Sequence, residues 1–85
     1  MKQVEKCGLA LIGLYNHKYG DHNYSISEIC VSQNIPISNS EELRGIVSSL
    51  ERNGFISHTV GLFNDYAAQI SSRGVEEVES KFSLD

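Results

Sequence analysis

Hydrophobic residues near the start of the chain recur at helical spacing. With each residue turning about 100°, Val4, Cys7, Gly8, Leu11, Leu14 and Tyr15 share one stripe. The pattern predicts a first helix over residues 2–18, with Gly20 as its stop and Leu9 on the opposite side. A polar loop leads to Tyr24–Ile26, which has the composition of a very short strand. Ser27 is then the expected N-cap of a second helix of about two turns, with Ile26, Ile29 and Cys30 inward and Ile35 closing it. Pro36 bars its continuation.

Ser38-Asn39-Ser40-Glu41 matches a capping box, in which the serine bonds an amide of the first turn and the glutamate reaches back. A third helix over 39–53 follows, buried through Leu43, Ile46, Val47 and Leu50 and ended by Gly54 at C′. The period then changes. Residues 55–60 and 66–70 have strand composition and flank a turn over 61–65, which predicts a hairpin. Ser71 caps a last helix, with Ile70 and Val75 as a hydrophobic staple and Val75, Val78 and Phe82 as its inner stripe. The order α-β-α-α-β-β-α makes one domain over 1–85. Its class is α+β, mainly α: a three-helix core, a β-hairpin and a C-terminal helix.

Composition removes several functions. Only 40% of the 85 residues are hydrophobic and 21% are charged, as in an ordinary soluble domain. The net charge of −4 does not advertise nucleic acid. The apolar run Cys7–Tyr15 is too short to span a membrane, and with Glu5 nearby and no small-residue cleavage site it is not expected to be a signal peptide. Cys7 and Cys30 lack metal-ligand spacing and are expected as reduced core thiols of a cytoplasmic protein. His17, His22 and His58 lie on separate elements or in loops, and no phosphate loop or nucleophile elbow is present. No catalytic residue, metal or cofactor is expected, and the chain is not read as an enzyme.

Two passages carry a family resemblance. Leu50-Glu-Arg-Asn-Gly-Phe-Ile56 is similar to the exit from the recognition helix of winged helix-turn-helix domains. Tyr66, with Ile70-Ser71-Ser72-Arg73-Gly74, resembles their returning wing strand and hydroxyl-capped last helix. Small transcription regulators of the MarR and PadR kind carry both passages, and the resemblance runs from Val4 to Phe82. It implies a supporting helix at 27–35, a recognition helix at 39–53 and a wing at 55–70. The chain departs from DNA-reading members at the tip, where Leu62-Phe63-Asn64-Asp65 holds no arginine or lysine to grip DNA.

On the third helix the wheel turns Glu41, Arg44, Gly45, Ser48, Ser49 and Arg52 outward, with Glu42 and Glu51 on the flanks. Small residues allow a backbone to approach base edges, and arginine can make a two-pronged contact with guanine. Ser38, Asn39 and Ser40 offer phosphate the free amides of the helix start. Duplex DNA is therefore the expected partner, at Ser38, Asn39, Ser40, Arg44, Gly45, Ser48, Ser49 and Arg52. A homodimer through helix one (Leu9) and the C-terminal segment (Phe82, Leu84) would strengthen weak monomer binding. The alternative is a protein-interaction adaptor using the same helix face or the apolar tip Leu62/Phe63.

Overall fold

In the computed structural model, which describes residues 1–82, seven elements follow in the expected order. They are α1 (Gln3–Tyr15), β1 (Tyr24–Ser25), α2 (Ile26–Ser32), α3 (Ser40–Arg52), β2 (Ile56–Leu62), β3 (Asp65–Ile70) and α4 (Ser72–Phe82). The three strands form an antiparallel sheet in the order β1-β3-β2, so the last strand made lies in the middle. The fold is α+β and mainly helical. One core, including Leu11, Leu14, Ile26, Cys30, Ile46, Ala68 and Val78, joins all four helices to the sheet. None of the described helices is long and apolar enough to cross a membrane.

α1 is rotated from the expected stripe. Its buried residues are Lys6, Cys7, Ala10, Leu11, Gly13 and Leu14, whereas Val4 is 75% exposed. A hydrophobicity wheel leaves Lys6 outside, but here its ammonium is neutralised by the Glu42 carboxylate of α3 and can enter the packed layer. Contacts with α2, α3 and α4 surround α1, so Leu9 packs against the core instead of facing away from it. The helix also stops earlier, at a C-cap formed by Asn16 rather than at Gly20. Gly20 instead lies in the loop beyond, against the Tyr24 hydroxyl.

Two predicted caps shift. Ser25, not Ser27, caps α2 by accepting a hydrogen bond from the Glu28 amide (3.3 Å). Asn39, not Ser38, caps α3 by accepting from the Glu42 amide (2.9 Å). The box cannot close through a glutamate because Glu42 is drawn across to Lys6. The predicted stripe of Leu43, Ile46, Val47 and Leu50 is buried throughout, at ~1.5–3 kcal/mol for each side chain removed from water. α2 and α3 end alike. Asn34 (φ 57°) and Gly54 (φ 74°) take the left-handed C′ position, and the next amides, of Ile35 and Phe55, return to the carbonyls of Cys30 and Leu50.

The hairpin is longer and its turn tighter than expected, since Leu62 pairs with Asp65 and only Phe63 and Asn64 lie between the strands. Ser71 caps α4 as predicted, accepting from the Gly74 amide (3.0 Å) while donating to the Gly54 carbonyl (2.6 Å). Val78 is fully buried, Val75 partly so, and the side chains of Phe82 and Leu84 lie outside the described residues. Gly74 passes so close to the Phe55 carbonyl that an added methyl would overlap it. Gly74→Ala is therefore expected to destabilise by ~1–3 kcal/mol. A thermal melt lowered by less than ~4 °C would show that the backbone yields more easily than this packing implies.

Candidate functional site

α3 presents its exposed side through Ser40, Glu41, Arg44, Ser48, Glu51 and Arg52. Arg44, Ser48 and Arg52 are spaced by four and form a row along the helix. Neither arginine makes an ion pair among the described residues, so both guanidinium groups are available to a partner. Two expected members of the face are elsewhere. Gly45 lies against the Gln3 amide of α1, to which an added Cβ would come within 2.7 Å, and Ser49 lines the groove between α3 and α1. Both therefore turn toward α1 and away from the outer row. With Glu51 exposed beside the row, two arginines stand with two glutamates.

The start of α3 shares a surface with the hairpin. Ser40, Glu41 and Arg44 face Gly61, Leu62, Asn64, Asp65 and Tyr66 across a cleft of about 380 Å³. Ser38, Asn39 and Ser40 adjoin it through a second hollow that also includes Asn64. The Asn39 side chain is committed to its cap, leaving the Ser38 and Ser40 hydroxyls at the rim.

The exposure of the tip has a local cause. Ile56 opposes Ile70 and is buried, and simple alternation would turn Val60 and Leu62 to the same inner face. A β-bulge intervenes. Ser57 opposes Gln69 but Val60 opposes Ala67, so β2 carries one extra residue, and His58 there has a left-handed φ of 56°. Asn23 holds the bulge, donating from its side-chain amide to the His58 carbonyl (2.7 Å). Beyond it Val60 and Leu62 share a face with Ala67 and Asp65, opposite the buried Ala68. Val60 and Leu62 are about half exposed, and Phe63 is 94% exposed.

Asp65 fastens this tip to the rest of the molecule. Its carboxylate accepts hydrogen bonds from the Ser25 hydroxyl, the Ser27 amide (3.0 Å) and hydroxyl (2.9 Å), and the Tyr66 amide (2.7 Å). Burial alone would raise its pKa, but these donors outweigh burial and hold it below the ordinary 3.8. The sequence offers no local signal for this clamp, since Ser25 and Ser27 are some forty residues from Asp65.

His17 and His22 lie against Tyr24 at ring-centroid distances of 4.4 and 4.3 Å. No group of three or more His, Cys, Asp or Glu side chains is placed to hold a metal among the described residues. Cys7 and Cys30 are buried free thiols, and burial, followed by the charges of Asp65 and Cys7, pushes the Cys30 thiol up to about 11. It is a weak nucleophile at neutral pH. Comparisons with protein-family models, curated proteins and solved structures return no match.

Proposed function

We propose that the chain is a small winged-helix domain, of the kind found in MarR- and PadR-like regulators, that binds duplex DNA and is not an enzyme. The supporting observation is the row Arg44, Ser48, Arg52: α3 buries its entire apolar stripe yet leaves both guanidinium groups exposed and without an ion pair among the described residues. Laid in a major groove, α3 brings these arginines to base edges or flanking phosphates, while Ser38 and Ser40 meet the backbone at the helix start. β2 and β3 are the wing in this reading.

The balanced charge of the face and the acidic α4, which carries Glu76, Glu77 and Glu79, imply weak binding by one copy. A homodimer on two half-sites would compensate. In such a dimer Leu9, partly buried against the core, offers less surface than Val4, which is 75% exposed on α1. The competing reading, a protein adaptor, draws on the exposure of Leu62 and Phe63.

Binding to a mixed pool of duplex DNA at two salt concentrations tests the proposal. Affinity is expected to fall as salt rises, and Arg44→Ala/Arg52→Ala should lower the salt slope by about one per arginine. Absence of binding at low salt would refute the reading, and a double variant that binds as wild type would remove α3 from the contact.

A further inference from the structure

We infer that the open edge of β2 pairs with the same edge of a second copy, joining two three-stranded sheets antiparallel across a two-fold axis at Gly61. The inference is independent of any DNA contact. In the order β1-β3-β2 both outer strands have an unpaired side. β1 is only two residues long, whereas β2 runs for seven. Hydrogen-bonded and open positions alternate along an antiparallel strand, and Leu62 pairs with Asp65 directly across the two-residue turn. Gly61, one residue back, therefore turns its amide and carbonyl to the free side.

Strand edges are normally guarded by lysine, proline or a bulge, because an unpaired strand is a template for another. β2 is guarded over its first half alone, by the bulge at His58. From Val60 to Leu62 it carries no charge and no proline, and Val60 and Leu62 are about half exposed. Gly61 has no role within one chain. Its φ lies outside the left-handed region, and a Cβ added there would meet nothing within 4 Å. A strand glycine without an internal reason often marks the close approach of another backbone.

Symmetry selects a second copy as that backbone. With Gly61 facing its own counterpart, Leu62 falls opposite the partner's Val60, and Val60 opposite the partner's Leu62. Four apolar side chains then form one patch, so the strand is its own complement. Charge agrees with this choice. Each chain carries −4, yet residues 53–64 include no Asp, Glu, Lys or Arg, so two like-charged chains meet where repulsion is least. Phe63, almost fully exposed, borders the patch at both ends. Three side chains and a short run of backbone from each copy cover less than the ~1,200–2,000 Å² of a standard interface. The dimer is therefore weak and reversible.

Sedimentation of the chain without DNA over roughly 0.01–1 mM, the range in which small interfaces associate, tests the pairing. The weight-average mass is expected to rise toward twice that of the monomer. Gly61→Pro deletes the outward amide while leaving the β2–β3 ladder intact, since proline is tolerated at such edge positions. Val60→Lys sets a charge on the exposed face of the edge. Both variants should stay monomeric at every concentration, with thermal melts verifying that they fold. In the wild type, amide chemical shifts that move with concentration should centre on residues 60–62, a readout that needs no variant. A monomer throughout the range, a dimer that persists in a folded variant, or shifts that centre on Val4 of α1 would overturn the pairing. None of these outcomes bears on DNA binding by α3, which is measured separately.

Discussion

Asp65→Ala is expected to remove about 2–4 kcal/mol of folding stability, because it deletes the acceptor for four donors at once. Hydrogen bonds to a charged group contribute ~1.5–3 kcal/mol each, but these share one carboxylate and are not additive. A domain of this size has only ~4–13 kcal/mol in total, so much of its margin depends on a residue at the start of a hairpin strand. Asp65→Asn should lose less, since one amide oxygen can still accept while the amide nitrogen confronts donors.

Acid supplies the complementary test. The folded carboxyl titrates below its ordinary 3.8, so its stabilisation is fully present above that value and is lost as pH falls through the folded pKa. Urea unfolding of the wild type should therefore weaken below about pH 4, and Asp65→Asn should show a smaller acid loss from a lower plateau. Equal acid dependence in both proteins would show that Asp65 does not carry this linkage.

Glu42→Ala should be about as damaging, at ~3 kcal/mol, because it strands the Lys6 ammonium in the layer between α1 and α3. The pair is not symmetric. The Lys6 side chain is 10% exposed and that of Glu42 is 26% exposed. Lys6→Met should thus stay within ~1 kcal/mol of wild type: its stem packs in the same place, and the released carboxylate can reach water. Chemical denaturation of both variants measures the difference. Equal losses would mean that the charge on Lys6 reaches solvent after Glu42 is removed.

These two sites also mark where sequence reasoning stopped. The stripe Leu43, Ile46, Val47, Leu50, the stop at Gly54 and the cap at Ser71 were legible because each depends on neighbours within one turn. The inner face of α1 was not. Lys6 is inside only because Glu42 arrives from another helix, and hydropathy has no entry for a partner 36 residues away. The caps moved by one or two residues, to Ser25 and Asn39, because neighbouring serine and asparagine side chains are near-equivalent caps in sequence. Of the α3 face, Arg44, Ser48 and Arg52 are exposed as the wheel implied, but Gly45 and Ser49 turn toward α1, whose approach a wheel for one helix does not contain. At the hairpin tip, the exposure of Leu62 and Phe63 was legible from their place beside a turn, whereas the one-residue bulge that turns Val60 outward leaves no hydrophobic signature.

The position of β3 between β1 and β2 also sets a timetable for synthesis. β1 cannot pair until Ala67 and Ala68 have been added, and the core that covers Leu11 and Leu14 lacks its fully buried Val78 until later still. At ~5–20 residues per second, α1 waits several seconds for these partners. Until then α1 has only α2 and α3 to pack against, and Val78 of α4 completes the core over it.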